Sequence, residues 1–197
     1  MRRVLLLVLL ALTLPAMTWA SSSIDFTNSG GTLSGSISGL SLSGSTLIAV
    51  NGLNGGGLIT GSLGSLSFST GALTSGSLMT GGTFAAGGSF IISGNGTNGV
   101  PNGVIFSGTF SGPVSWTLVT LANGTHNYTL SGGIVGPNAV GATVQLTINT
   151  GKGFFNGSVG ISSGDTSLSV PEPGTLGLLG TGLVGIGGLM RRKLRIG

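Results

Sequence analysis

Two short segments in the second half of the chain alternate strictly between apolar and polar residues. They are Val114-Ser115-Trp116-Thr117-Leu118 and Val144-Gln145-Leu146-Thr147-Ile148. Because successive side chains of a β-strand point to opposite faces, this period of two predicts strands with one buried face. Asn123-Gly124 and Asn102-Gly103 are predicted hairpin turns, since both residues of such a pair tolerate positive φ. Residues 149–153 are predicted to form a further turn.

The first half of the chain has a looser pattern, in which glycine and serine recur between apolar residues. Residues 30–40 and 61–68 show this pattern, but the intervals between their glycines drift. A drifting interval does not indicate the fixed repeat that builds a solenoid. We therefore expect short strands joined by glycine turns, and the sequence leaves open whether residues 29–82 are fully ordered.

The composition narrows the fold class. The 41 glycines among 197 residues exclude long helices in water, whereas glycine is tolerated in a helix within a membrane. Disordered chains are usually poor in aromatic and β-branched residues, whereas these recur throughout this chain. The passenger domain, residues 21–168, is predicted to be all-β: an antiparallel β-sandwich or barrel, with a β-solenoid as the alternative.

Charged residues are concentrated at the two ends of the chain. Only Asp25, Lys152 and Asp165 lie between residues 21 and 170, which gives that stretch a net charge of −1. The terminal cations flank apolar segments, as expected of membrane segments and not of a nucleic-acid-binding face. We expect no DNA or RNA partner. The chain has no cysteine, which excludes thiol chemistry and disulfides.

Residues 1–20 are predicted to be a cleavable secretory signal helix. Arg2 and Arg3 form a basic start, residues 4–14 an apolar run, and a small-residue site at Thr18-Trp19-Ala20 predicts cleavage between Ala20 and Ser21. The apolar run is too short to span the roughly 30 Å of hydrocarbon in a bilayer.

Residues 169–197 have the order expected of a membrane anchor. Residues 174–190 are uncharged and largely apolar, which predicts a transmembrane helix, and a basic tail follows at 191–195. The tail cations are predicted to remain in the cytoplasm, so that the passenger lies outside. They are Arg191, Arg192, Lys193 and Arg195.

A proline-rich motif, Val170-Pro171-Glu172-Pro173, stands immediately before the predicted span. Two prolines fix an extended segment that a recognition groove can hold. Together with the span and Arg191-Arg192-Lys193, the motif closely resembles the PEP-CTERM sorting signal that exosortases read in Gram-negative bacteria. The resemblance covers roughly residues 169–195.

The resemblance to the PEP-CTERM signal carries several expectations. It implies export, inner-membrane anchoring through the C-terminal helix, and cutting near the motif by an exosortase, a membrane-embedded cysteine protease. It implies a final location in the cell envelope or extracellular matrix of bacteria that make exopolysaccharide. Exopolysaccharide is therefore an expected partner beside the exosortase and the membrane. The same tail occurs on some ice-binding proteins.

Glycine-rich stretches produce matches to catalytic motifs that their context does not support. Residues 94–99 spell G-x-G-x-x-G, but Val100-Pro101 follows instead of a helix. Residues 160–164 spell G-x-S-x-G, yet His126, the only histidine, lies upstream. We predict no enzyme, no metal site and no cofactor, with His126 a solvated strand residue.

The favoured function is a structural or interaction protein, and the alternative is a carbohydrate- or ice-binding module. Such a module would need an aromatic platform or a flat threonine face, and no Thr-x-Thr occurs in the chain. The aromatics in question are otherwise predicted to be core residues. They are Trp116, Tyr128, Phe154 and Phe155. Asn-x-Ser/Thr sequences leave glycosylation open at Asn95, Asn123, Asn127 and Asn156.

Overall fold

The computed structural model describes residues 22–137 and 139–170, which form an all-β structure of 13 strands, as predicted. In this part of the chain, no helix is long and apolar enough to cross a membrane. A short 3-10 turn, Leu53–Gly55, follows the third strand. The strands are β1 (Ser22–Ser29), β2 (Thr32–Ser36), β3 (Gly39–Asn51), β4 (Ile59–Ser69), β5 (Leu73–Ser77), β6 (Gly81–Phe84), β7 (Gly87–Asn95), β8 (Asn102–Phe110), β9 (Val114–Thr120), β10 (His126–Gly136), β11 (Ala139–Asn149), β12 (Ser158–Gly160) and β13 (Ser163–Val170).

Eight of the strands close into a ring. Their order is β1-β3-β4-β7-β8-β10-β11-β13, and β13 pairs with β1 to complete it. Neighbouring strands run antiparallel, as in the pairing of β10 with β11 and of β11 with β13. The passenger is therefore an antiparallel barrel, one of the two predicted architectures, and not the alternative solenoid.

The remaining five strands form two branches outside the ring. One branch is attached to β3 and the other to β10, because each of these barrel strands pairs with a third strand. β10 pairs with β9 over residues 126–131 and with β8 at residues 134–135, and β9 leads on to β6 and β5. β3 pairs with β2 over residues 39–43, and β2 also pairs with β12. The two branches meet where the Leu73 backbone N–H donates to the Ile37 carbonyl at 2.9 Å.

Glycine allows two of the close strand approaches. Gly64 has φ +154°, and a Cβ there would overlap the carbonyl oxygen of Ser93 across the β4–β7 pair. Gly132 lies where β10 changes its partner from β9 to β8, and a Cβ there would stand 2.9 Å from the ring of Phe110. A side chain at Gly64 would push β4 and β7 apart, and one at Gly132 would displace the Phe110 ring.

Phenylalanines form a large part of the barrel core. Phe68 and Phe90 stack with ring centroids 6.1 Å apart, and Phe110 meets Phe68 edge-on at 5.9 Å. Phe106 packs against Phe90 at 6.2 Å. These side chains are buried because each occupies an inward-facing position of its strand, as Phe68 does between the more exposed Ser67 and Ser69.

A second aromatic cluster lies beneath the β9–β10 branch. Trp116 stacks on Tyr128 at 4.9 Å, and Phe155 meets Trp116 edge-on at 5.4 Å. The Trp116 Nε1–H donates to the Leu78 carbonyl at 2.9 Å, and the Tyr128 hydroxyl donates to the Met79 carbonyl at 2.6 Å. The cluster thus ties the β5–β6 turn to this sheet while satisfying the polar atoms of both rings.

The structure confirms two predicted turns and corrects a third. Asn123-Gly124 lies between β9 and β10, and residues 150–153 turn after β11 ends at Asn149. The prediction for Asn102-Gly103 is wrong, because Asn102 already pairs with Asn95 in the β7–β8 ladder. The chain reverses at residues 96–101 instead, where Gly96 and Gly99 take positive φ.

The phenylalanine core predicts a large loss of stability on truncation. Phe90→Ala should lower the free energy of unfolding by about 3–5 kcal/mol, because the fully buried ring leaves a cavity. Ile91→Ala is the matched control: Ile91 is the next residue, points outward and is 37% exposed. Its expected cost is at most about 1 kcal/mol. Urea unfolding followed by Trp116 fluorescence measures both, and equal losses would contradict the assigned faces of β7.

Candidate functional site

The predicted sorting and export residues lie largely outside the described residues. This holds for Ala20 and Ser21, for residues 171–173, for the span 174–190 and for the basic tail 191–195. Of the motif, only the backbone of Val170 is described, and it is the last residue of β13. The compact unit that contains the barrel runs from Ser23 to Val170, so the motif begins where the last strand ends.

His126 is buried, and the prediction that it is solvated is wrong. Its side chain is 8% exposed and stacks on Phe154 with ring centroids 4.2 Å apart. Its Nδ1 lies 3.2 Å from the hydroxyl of Thr120, opposite it in the β9–β10 ladder. Burial follows from the turn after β11, which places Phe154 over the imidazole. The contacts of His126 are those of a packed strand residue.

The two motif matches have no functional context. Residues 94–99 belong to the end of β7 and the following reversal, and β8 begins at Asn102. Residues 160–164 connect β12 with β13, and Ile161 between them is buried. Both segments therefore lead into a strand, whereas a dinucleotide site or a nucleophile elbow leads into a helix.

The aromatic platform of the alternative hypothesis does not form. Trp116, Tyr128 and Phe155 are 2%, 0% and 1% exposed, so the expectation that they are core residues is confirmed. The same expectation is wrong for Phe154, which is 46% exposed and stands apart from these buried rings, stacked on His126. A sugar ring therefore cannot stack on Trp116 or Tyr128.

The outer surface of β9, β10 and β11 carries an ordered set of polar side chains, which we call the polar face. Paired residues of antiparallel strands share one face of the sheet, so the register determines which side chains stand side by side. Val119 and Gly133 interrupt the polar face. Its members are Ser115, Thr117, Asn127, Thr129, Ser131, Thr143, Gln145, Thr147 and Asn149.

The polar face is arranged in cross-strand rows. Thr117, Thr129 and Thr147 form one row, and Ser115, Ser131 and Gln145 form the next. Neighbouring members of a row are about 4.8 Å apart, and successive rows are separated by about 6.8 Å along the strands. Threonines are thus aligned across three strands, although the sequence has no Thr-x-Thr within one strand.

The rows continue onto β13. Ser163 pairs with Thr147, and Asp165 pairs with Gln145. Asp165 also lines a cavity of about 280 Å³ between β11, β13 and β1. Its lining residues are Asp25, Thr143, Gln145, Asp165, Thr166 and Ser167. Among the described residues, no group of three or more His, Cys, Asp and Glu side chains could hold a metal ion.

One of the Asn-x-Thr sequences forms a tight exposed turn. The Asn123 Oδ1 accepts hydrogen bonds from the Thr125 backbone N–H at 3.0 Å and from its hydroxyl at 2.7 Å. Asn127, in contrast, is half-buried and accepts a hydrogen bond from Asn149 at 2.6 Å. Of these two asparagines, Asn123 is the accessible one.

Sequence reasoning identified β9 and β11 but not the polar face. The alternation in β11 already showed Gln145 and Thr147 on its polar side. It could not show that Thr129, 18 positions earlier in the chain, stands beside Thr147, because that depends on the register of the β10–β11 pair.

Comparison with known proteins finds a match for the C-terminal tail and none for the barrel. The family model of the PEP-CTERM protein-sorting motif matches residues 169–193. No curated protein and no solved structure matches the chain. The matched residues include the whole of Val170-Pro171-Glu172-Pro173 and Arg191-Arg192-Lys193, as the resemblance predicted. The chain therefore carries a PEP-CTERM protein-sorting motif, and this tail implies export and sorting by an exosortase.

Proposed function

We propose that this exported protein is a non-enzymatic component of the cell surface or extracellular matrix that binds neutral exopolysaccharide through its polar face. The observation that carries the proposal is the alignment of hydroxyl and amide side chains in rows across β9, β10 and β11. The sorting motif supports the location, because a sorted tail delivers the passenger to the envelope.

The chemistry of the polar face suits a polysaccharide. Hydroxyl groups both donate and accept hydrogen bonds, and the Gln145 amide adds two donors and an acceptor. Sugar hydroxyls have the same double capacity. Each exchanged hydrogen bond contributes only about 0.5–1.5 kcal/mol net, so useful affinity requires several at once. The rows provide such repeated contacts, and a neutral polymer needs no charged partner.

We propose a non-enzymatic function because the titratable side chains lie apart from one another. His126 contacts Thr120 and Phe154, whereas Asp25 and Asp165 line the cavity beside β13. General acid–base or nucleophilic catalysis needs such groups within hydrogen-bond reach of one substrate atom.

The row of threonines supports ice binding as a second candidate. Thr117, Thr129 and Thr147 are the regularly spaced threonines that such a face needs. The rows on either side differ in composition. One contains Ser115, Ser131 and Gln145, and the other contains the apolar Val119. This mixed chemistry favours binding of a polysaccharide over binding of the regular lattice of ice. Ice recrystallisation assays on the variants described below distinguish the two functions.

Hydroxyl removal tests the polar face. The triple variant Thr117→Val, Thr129→Val, Thr147→Val should weaken binding to isolated exopolysaccharide at least about tenfold, since it deletes three hydrogen-bonding groups. Co-sedimentation with the polymer measures the binding. The matched control is Ser65→Ala, Ser67→Ala, Ser93→Ala, on the β4–β7 surface, which should bind as the wild type does. Equal binding by both variants would exclude the polar face as the site.

Processing of the tail is a separate prediction. Pro171→Ala with Pro173→Ala should abolish cutting near the motif, because the extended conformation that the exosortase holds is lost. The measurement is the intact mass of the protein recovered from cells with and without their exosortase. Loss of the tail is expected only for the wild type in cells that have the enzyme.

The control for processing is Pro113→Ala, an exposed loop proline of the barrel, which should be cut normally. An intact tail in all samples would contradict processing and leave a protein anchored through its C-terminus. It would not bear on polysaccharide binding, which is measured on purified protein.

A further inference from the structure

The three charges of the barrel are segregated in space. Lys152 is the only cation among the described residues, and Asp25 and Asp165 are the only anions. Lys152 lies in the turn after β11, whereas both aspartates line one cavity between β11, β13 and β1. In a surface otherwise built from neutral groups, this separation creates one cationic position and one anionic position.

Two exposed apolar side chains lie near Lys152 in the fold, one in its own loop and one in the loop that meets it at Tyr128. Phe154 is 46% exposed, and Met79, in the β5–β6 turn, is 50% exposed. The two loops meet at Tyr128, whose hydroxyl donates to the Met79 carbonyl at 2.6 Å and accepts from the Phe155 N–H at 3.1 Å. We call Lys152, Phe154 and Met79 the cationic tip. The two hydrogen bonds of the Tyr128 hydroxyl tie both loops to the aromatic cluster.

The cavity has matching properties. Its two carboxylates stand among the uncharged polar groups of Thr143, Gln145 and Ser167. Leu58 is an exposed apolar residue near the cavity. Asp25 on β1 pairs with Asn51 on β3, and Val50, the residue before Asn51, pairs with Ile59 on β4. Leu58 directly precedes Ile59, so it lies across β3 from Asp25. Leu58 is 68% exposed and about two strand spacings, roughly 10 Å, from Asp25. We call the cavity together with Leu58 the anionic socket.

The tip and the socket of one copy do not reach each other. Asp165 pairs with Gln145, and the turn that holds Lys152 begins five residues further along β11, at Thr150. Five residues of strand extend about 17 Å, beyond the contact distance of an ion pair. A contact between tip and socket therefore needs two molecules.

We propose that copies of this chain associate head to tail, with the cationic tip of one copy seated on the anionic socket of the next. Such a contact joins different surfaces of two identical molecules and therefore leaves an unused tip and an unused socket at the ends. It propagates into an open linear assembly. The net charge of −1 between residues 21 and 170 opposes this association very little.

Charge variants test the contact. Sedimentation velocity of the full chain in a non-ionic detergent, at rising protein concentration, measures association. Lys152→Glu should weaken it at least about tenfold, because a third carboxylate then faces Asp25 and Asp165. Asp25→Asn with Asp165→Asn should weaken it about fivefold. Ser67→Glu, which adds a carboxylate on β4, is the control and should associate as the wild type does.

Mixing the two variants identifies the geometry. Lys152→Glu keeps an intact socket, and Asp25→Asn/Asp165→Asn keeps an intact tip, so their equal mixture can form only one contact. The expected result is a dimer in the mixture and longer species in the wild type alone. Unchanged association of Lys152→Glu, or a mixture that associates no better than its components, would overturn the proposal.

Cysteine pairing provides an independent measurement. Because the chain has no cysteine, Gly153→Cys and Thr143→Cys place thiols beside the tip and in the socket while keeping all three charges. Under mild oxidation the mixture should give a disulfide-linked dimer, and neither variant should do so alone. Self-linkage of Gly153→Cys would indicate a tip-to-tip contact and contradict the head-to-tail arrangement. Polysaccharide is absent throughout, so the outcome is independent of the proposed function.

Discussion

The pairing of β10 with three other strands is the constraint on which the remaining structure depends. Its second half closes the barrel against β8, its first half supports β9, and its other edge holds β11 along nearly its whole length. Because β10 is shared in this way, β9 and β11 lie on either side of it in one continuous surface. The rows of the polar face exist only because this strand fixes both registers.

The sequence predicted strands where one face is buried and the other is polar. Val114, Trp116, Val144, Leu146 and Ile148 are all buried, as the alternation required. The glycine-rich first half was harder to interpret because glycine carries no side chain to show a face. That half nevertheless contains two of the longest strands, the 13-residue β3 and the 11-residue β4.

Contiguous and discontiguous features differ in what a sequence can reveal. The sorting motif is contiguous, so its residues are recognisable without any structure. The polar face joins Thr117, Thr129 and Thr147 from three strands, and a shift of one residue in either register would turn one strand's threonine inward. The burial of His126 was missed for the same reason, since it depends on a stack with Phe154, 28 positions later in the chain.

The scarcity of charge connects the proposed function with the proposed assembly. A neutral hydroxyl face forms individually weak contacts, so under the proposed function a single barrel binds a polymer weakly. In the proposed linear assembly Thr143 and Gln145 lie in the contact between copies, and the other members of the polar face are repeated along one polymer, so each further contact forms at a high effective concentration. Charges spread over the barrel would oppose close association of copies, whereas one lysine and two aspartates in separate places would direct the proposed association. Under the two proposals, the uncharged polar face makes the weak contact and the segregated charges repeat it.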